Sequence, residues 1–331
     1  MEEKIKISVP SSIYETLIKD CVDFKIVHSN NKANFNCFLN LLISNYYEDF
    51  SSSDQTLNDK LSKIIPLENN IDKSIIINKI IKAFDESNTI HTFKEPSKII
   101  SFKPTKQSFK AITFINNHLI SNESISSYYR RLLISYCKKI KNEREKIIFK
   151  DAYNLLIKSI ANKEEVTIIL KSKTIFKSVS IYDIKSPKDE FYNYVLFYVN
   201  NKANTIRLSN IREAILLTSK ANIPNNIKSL FDKQIKYGVQ YIPRENEDQP
   251  VKIRLTKKGL KLYEKIYLYR PDYEAVDGDI YTFLGPYDQI LHYFKRFGDD
   301  AVILEPDKLK ENMRVFYYYG LKAYKKKNND K

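Results

Sequence analysis

The residues that could support metal or acid–base chemistry are few and lie far apart in this sequence. Four histidines stand in separate segments without the spacing of metal ligands: His28, His91, His118 and His292. The sequence has no Walker loop, no GxGxxG and no GxSxG motif. Asp299, Asp300 and Glu305 could hold a metal for a nuclease, although acidic residues are common at turns and helix starts. We therefore expect no enzyme activity, no metal and no cofactor, with a metal-dependent nuclease as the least favoured alternative.

Residues that could bind a polyanion are more numerous, because 55 Lys and Arg against 40 Asp and Glu give a formal charge of +15. Much of this excess is lysine in a chain rich in Asn and Ile, a bias that AT-rich coding would also produce. The distribution is more informative. Residues 1–50 hold five Lys against seven acidic residues, whereas residues 94–150 hold ten Lys and three Arg against four Glu. If nucleic acid binds here, residues 94–150 supply most of the attraction.

Two strand-like segments could present the basic residues. In Lys4–Pro10, KIKISVP, apolar residues alternate with Lys4, Lys6 and Ser8, which predicts a half-buried strand with a basic outer face. Two amphipathic helices follow, and the second contains FLNLLIS. Ile99–Pro104 then predicts another strand, again followed by two helices, the second containing YRRLLIS. The repeated order indicates an internal duplication.

Each half of the duplication needs a partner, because one short strand and two helices bury little apolar surface and leave strand edges open. Aligning Ile5 and Ile7 with Ile100 and Phe102 makes Lys6 equivalent to Ser101 and Ser8 equivalent to Lys103. The strand–helix–helix order resembles the ribbon-helix-helix family, in which two such units pair their strands into an antiparallel ribbon that contacts nucleic acid. The two units could pair within one chain or between two chains. The resemblance implies these contacts: Lys4, Lys6, Ser8, Ser101 and Lys103 on the ribbon, with Arg130 and Arg131 beside it.

Five short strand patterns follow between Val166 and Leu217, separated by polar breaks, and predict a small barrel or a strongly curved sheet. YNYVLFYV followed by TIRLSNI resembles the WYL domain, an Sm/SH3-like barrel. Tyr194 stands at the family's tyrosine, Val195 at its leucine and Arg207 at its first arginine.

The match departs from the family at three positions: Asn193 replaces the tryptophan, Asn210 a second basic residue, and Ile181 a proline. The resemblance implies a site for nucleic acid or a charged ligand at Tyr194 and Arg207. Further contributions to that site are expected from four residues: Tyr182, Tyr198, Lys171 and Arg212.

Residues 251–326 resemble the WCX extension that follows WYL domains, and their alternation of strands and helices suits a ferredoxin-like fold. The last helix is rich in tyrosine, which favours a packing surface or a homodimer interface. The sequence thus predicts an α+β multidomain chain with the following ranges: 1–50 ribbon-helix-helix unit one, 51–97 helical spacer, 98–142 unit two, 143–162 connecting helix, 163–222 WYL barrel, 223–250 linker, and 251–326 the C-terminal domain.

The leading functional prediction is a non-enzymatic nucleic-acid-binding regulator. The ribbon-helix-helix and WYL order resembles accessory proteins of type VI CRISPR systems, which implies binding of single-stranded RNA and stimulation of an RNA-guided effector nuclease. A ligand-responsive DNA-binding transcriptional regulator is the alternative. Three cysteines without CxxC spacing, no apolar run of membrane-spanning length and no signal-peptide pattern favour a cytoplasmic protein.

Overall fold

A computed structural model describes residues 4–65, 75–77, 79–80, 96–120, 123–187, 192–242 and 249–326. The chain divides into two compact units, residues 1–150 and residues 151–331. Among the described residues, no helix combines the length and apolar character that spanning a membrane requires. The described residues are mixed α+β and form three antiparallel sheets of two, four and five strands.

The first unit is built on a two-stranded ribbon. Its elements are β1 (Ile5–Pro10), α1 (Ser11–Asp23), α2 (Phe35–Ile64), β2 (Ser97–Phe102), α3 (Phe109–Phe114) with a π-helical turn (Ile115–Leu119), α4 (Ile125–Lys138) and α5 (Lys141–Ile148). β1 and β2 pair antiparallel within the chain, with Lys6 opposite Ser101 and Ile7 opposite Ile100. Pairing within one chain thus holds for this ribbon.

Alternation along the ribbon separates an apolar face from a polar face, as the sequence predicts. Ile7, Val9, Ile100 and Phe102 are each at most 1% exposed, because their side chains point toward the helices. The repeated LLIS segments lie in α2 and α4, and the Tyr46 hydroxyl in α2 lies 2.9 Å from the hydroxyl oxygen of Ser135 in α4. The two halves therefore share one core.

Helix α2 continues without interruption from unit one through the serine-rich residues 51–58 to Ile64, inside the range predicted as a helical spacer. Ser53 and Thr56 donate their hydroxyls to carbonyls one turn earlier, at 2.9 and 2.8 Å, so these polar side chains are compatible with a helix. Phe50 is 5% exposed and ties this part of α2 to the core. Much of the helical spacer predicted for 51–97 lies outside the described residues. The connecting helix predicted for 143–162 is two helices, with a break at Phe149.

The second unit begins with α6 (Lys150–Asn162), whose first residue closes the first unit. The next elements are β3 (Glu164–Leu170), β4 (Ile175–Lys185), β5 (Tyr194–Val199), β6 (Lys202–Arg207), a 3₁₀ turn (Leu208–Asn210), β7 (Ile211–Lys220) and α7 (Asn225–Tyr237). The sheet order is β6-β5-β4-β3-β7. In the described residues β6 and β7 stay unpaired edges, so the predicted barrel is not closed. The alternating apolar pattern of the sequence predicts that strands next to each other in the chain pair. Closure of the sheet into a barrel depends instead on where the turn after β6 directs β7.

Helix α7 lies in the range predicted as a linker, yet it packs on the sheet. Phe231 is fully buried with Tyr194 and Leu196, and the side-chain amide of Gln234 donates to the Thr205 hydroxyl at 2.8 Å. The amphipathic helix α7 therefore packs on the face formed by β4, β5 and β6.

The C-terminal part forms a second sheet with the order β11-β8-β10-β9. Its elements are β8 (Val251–Leu255), α8 (Lys257–Lys265), β9 (Tyr273–Asp277), β10 (Ile280–Phe283), α9 (Tyr287–Phe294), β11 (Ala301–Glu305) and α10 (Asp307–Lys326). Residues 273–283 form a hairpin of β9 and β10. Gly278 at its turn has φ +62°, which glycine adopts without steric cost. The first six elements follow the β-α-β-β-α-β order of ferredoxin-like folds.

Candidate nucleic-acid interface

The outer face of the ribbon carries the strand residues that the sequence singles out. Lys4, Lys6, Ser101 and Lys103 are exposed and Ser8 is half-buried, opposite the buried apolar face. The helices cover only one face of this two-stranded ribbon, so the side chains on the other face do not pack in the core. The arrangement presents three ammonium groups and two hydroxyls to solvent over a ribbon about 20 Å long.

The two predicted arginines differ in position. The Arg130 guanidinium donates through Nε to the Ser8 carbonyl at 2.6 Å, which places it at the edge of β1. Arg131 instead pairs with Glu123 at 3.3 Å and lies over the Phe50 ring at 5.4 Å. Consecutive helical residues point about 100° apart, so only Arg130 is brought to the ribbon.

Two asparagines that sequence reasoning missed fix the other strand. Asn36 and Asn40, one turn apart on α2, donate their side-chain amides to the Lys103 carbonyl at 3.2 and 3.0 Å. Asn36 also accepts from the Lys103 amide at 2.7 Å, and Asn40 accepts from the Thr105 amide at 3.1 Å. The sequence feature that could have identified them is a pair of asparagines at i and i+4 on an apolar helix face, because a buried polar side chain needs a hydrogen-bond partner. The clamp fixes the backbone that carries the Lys103 side chain.

A buried ion pair supports the helices beneath the ribbon. Asp20 of α1 is 1% exposed and accepts from Arg144 of α5 at 2.6 and 3.1 Å. The Tyr136 hydroxyl of α4 donates to the same carboxylate at 3.0 Å. Burial and the nearby Asp20 charge raise the pKa of Tyr136 well above its ordinary value. Three helices thus meet at one carboxylate.

A second candidate site lies in the five-stranded sheet, where Tyr194 and Arg207 are directly opposite each other on β5 and β6. Arg207 Nε donates to the Tyr194 hydroxyl at 3.2 Å, and the guanidinium lies over the Tyr192 ring at 4.2 Å. Tyr194 is 6% exposed, whereas Arg207 is half-buried. The two tyrosines orient a partly accessible guanidinium, whose planar fork suits phosphate oxygens. Tyr192 was not anticipated from the sequence.

The remaining residues predicted for this site are distributed over the sheet. Tyr182 and Tyr198 pack with Tyr194 against the same apolar cluster under α7. Tyr182 donates to Asp232 at 2.5 Å, and chiefly this hydrogen bond raises its pKa to about 12. Lys171 follows β3 and Arg212 lies on β7, which are two and three strands from β5 in the sheet order.

The acidic residues considered for a nuclease have structural contacts. Asp300 accepts from the Thr256 hydroxyl at 2.7 Å and pairs with Lys258 at 2.7 Å, and these bonds lower its pKa. Glu305 pairs with Lys252 at 3.0 Å. Both carboxylates therefore stabilise the ends of β8 and β11.

Comparisons with known proteins place the fold. No protein-family model matches the chain, and no curated protein matches it. A crystal structure described as that of a CRISPR Cas-related protein superposes with a TM-score of 0.66 at 19% sequence identity. The alignment covers 99% of this chain and 95% of that one. Proteasome accessory factor B/C (PafBC) of Arthrobacter aurescens gives a TM-score of 0.26 at 12% identity, covering 70% of this chain and 39% of that one. The chain therefore shares its fold along nearly its full length with the CRISPR Cas-related protein.

Proposed function

We propose that this chain is a non-enzymatic regulator that binds nucleic acid through the outer face of its β1–β2 ribbon. The observation that carries the proposal is the division of the ribbon into one face with four buried apolar side chains and an exposed face bearing Lys4, Lys6 and Lys103. Exposed ammonium groups on a backbone held by Arg130 and by the asparagine clamp suit phosphate contacts. The first unit acts as two ribbon-helix-helix halves in one chain.

The partner we propose is single-stranded RNA, and the biological context is an RNA-targeting CRISPR effector nuclease that the protein assists. The support is the fold shared with a CRISPR Cas-related protein, together with the resemblance of the sequence to type VI accessory proteins. A ligand-responsive DNA-binding transcriptional regulator is the second candidate, because paired strands of this kind also contact duplex DNA. The two candidates differ in whether a single strand or a duplex binds more tightly.

Residues 163–222 contribute a WYL-type, Sm-like site in this proposal, with Arg207 as the phosphate-binding group. Its guanidinium is already oriented by Tyr192 and Tyr194, so little side-chain entropy is lost when a phosphate binds.

We also propose a homodimer formed through α10. This helix exposes a run of large apolar and aromatic side chains: Phe316 at 45%, Tyr318 at 57%, Tyr319 at 62%, Leu321 at 56% and Tyr324 at 81%. Clusters of this kind on a surface commonly mark an interface between proteins. A second copy offers the same surface, which is the self-complementarity that a two-fold dimer requires.

The test of the ribbon is fluorescence anisotropy with labelled single-stranded RNA, single-stranded DNA and duplex DNA over a range of salt. Lys6→Glu with Lys103→Glu should weaken binding and reduce the slope of log K against log salt by about 1.4, since each phosphate contact on a single strand contributes about 0.7. Lys257→Glu with Lys261→Glu on α8 is the matched control, because it reverses two exposed lysines and changes the net charge equally. Equal effects of the two double variants would reject the ribbon as the binding surface.

A further inference from the structure

The ribbon has an approximate two-fold axis between Lys6 and Ser101. These residues are equivalent in the duplicated sequence, and they are also directly opposite each other in the pairing. When two equivalent strands pair antiparallel about a two-fold axis, a residue lies directly opposite its own equivalent only where the axis passes between them.

The clamps follow the same axis. Ser8 and Lys103 are equivalent positions, and the carbonyl of each accepts a hydrogen bond from the second helix of one half. Arg130 of α4 donates to Ser8, and Asn40 of α2 donates to Lys103. The backbone of the ribbon is therefore two-fold, although different side chains hold its two edges.

The outward side chains break this symmetry. Lys4 is equivalent to Ile99, which is 72% exposed, and Ser8 is equivalent to Lys103. Because Ile5 pairs with Phe102, Lys4 and Lys103 lie at one end of the ribbon, whereas Ser8 and Ile99 pair at the other. The outer face has two lysines at one end, and at the other end it has the exposed aliphatic side chain of Ile99 with the Arg130 guanidinium at the β1 edge beside Ser8.

We propose that the ribbon binds a single nucleic-acid strand in one direction only, with phosphates at the Lys4 and Lys103 end and a base against Ile99. This inference rests on the proposed function and adds the polarity of the bound strand to it. A duplex with two identical half-sites would need the same side chains at equivalent positions, as in two-fold DNA-binding dimers. Lys4 and Ile99 cannot make the same contact, so a palindromic duplex is a poor ligand for this face.

Photocrosslinking measures the direction. Short oligouridines carrying one 4-thiouridine near the 5′ end or near the 3′ end are crosslinked to the full chain, and mass spectrometry locates the modified residues. The two oligonucleotides should modify opposite ends of the ribbon, one near Ile99 and the other near Lys103.

A swap variant provides the control. Lys4→Ile, Ser8→Lys, Ile99→Lys and Lys103→Ser together exchange the four outward strand side chains between the two ends, while Arg130, composition and net charge stay unchanged. The two crosslink positions should exchange in this variant. Lys4→Ile with Ile99→Lys alone changes only exposed side chains, and it keeps the test valid if the fourfold variant unfolds; it should lose the preference for one direction.

Each outcome decides a different point. If the wild-type chain binds no nucleic acid, the proposed function and this inference both fail. If it binds but both oligonucleotides modify the two ends equally, or if the fourfold variant folds and the positions do not exchange, the polarity is rejected and the proposed function stands. Tighter binding to a palindromic duplex than to a single strand would also overturn the inference.

Discussion

Replacing Arg207 with alanine tests the second candidate site, because the structure gives this side chain two separable roles. The guanidinium donates to the Tyr194 hydroxyl at 3.2 Å and lies 4.2 Å from the centre of the Tyr192 ring. A hydrogen bond to a charged group contributes about 1.5–3 kcal/mol, and a partly exposed cation–π contact about 0.5–2 kcal/mol. We therefore expect Arg207→Ala to reduce the free energy of unfolding of the second unit by about 2 kcal/mol.

The same substitution should weaken binding of single-stranded RNA. Loss of a guanidinium that forks onto phosphate oxygens removes charge-assisted hydrogen bonds, so we expect a loss of about 1–3 kcal/mol, or about 5- to 150-fold in Kd. Anisotropy titration below the melting temperature, with urea unfolding on the same preparation, separates the loss of affinity from the loss of stability.

Tyr194→Phe is the control, because it removes the hydroxyl that accepts from Arg207 and leaves the guanidinium in place. It should reduce stability by about 1 kcal/mol and weaken RNA binding less than Arg207→Ala does, because the Tyr192 ring still orients the guanidinium. Arg207→Lys retains the charge but not the planar fork, so its affinity should lie between those of alanine and arginine. A folded Arg207→Ala protein that binds RNA as tightly as wild type would refute the assignment of Arg207 to the site.

The remaining predictions concern the buried ion pair, the sheet and the last helix. Arg144→Ala should destabilise the first unit by about 3–5 kcal/mol in urea unfolding, because it leaves the carboxylate of Asp20, which is 1% exposed, without its bidentate partner. The Tyr182 pKa is raised from 10.0 to about 12, chiefly by donation to Asp232, so this bond stabilises fully below pH 10 and is lost as the pH rises through about 12. Between pH 10 and about pH 12, the free energy of unfolding should therefore lose this contribution in the wild type but not in Tyr182→Phe. Tyr319→Lys should convert the expected dimer to a monomer, as measured by light scattering.

Each of these has a direct check. Arg314→Ala removes an exposed ion pair with Glu311 and should change the free energy of unfolding by less than about 1 kcal/mol. If Arg144→Ala has an equally small effect, burial of the Asp20–Arg144 pair does not increase the cost of losing it. Ultraviolet titration of the Tyr182→Phe protein should show one fewer tyrosine ionising at high pH. A monomer mass for the wild-type chain at micromolar concentration would reject the dimer.

The sequence alone was sufficient for features that depend on the alternation of apolar and polar residues along one strand. Alternation in KIKISVP placed Ile7 and Val9 inside and Lys6 outside, because side chains on a strand point to opposite faces in turn. Aligning the apolar positions of the two strands made Lys6 equivalent to Ser101, and the observed pairing places these two residues opposite each other. The resemblance to the WYL domain assigned Tyr194 and Arg207 to one site, and the structure places them opposite each other on adjacent strands.

Tertiary structure decided the features in which a distant partner outweighs the local pattern. α2 continues through its serine-rich stretch because Phe50 is buried against residues far along the chain, so the polar composition there did not end the helix. Asn40 contacts Lys103 and Thr105, which lie more than 60 residues away, and no local signal specifies these two partners. Arg130 and Arg131 are identical neighbours in sequence, yet only the position of β1 determines which one contacts the ribbon. Sheet closure likewise depends on where the chain goes after Arg207, since strand alternation fixes which faces are buried and leaves the pairing of the two edges to the whole fold.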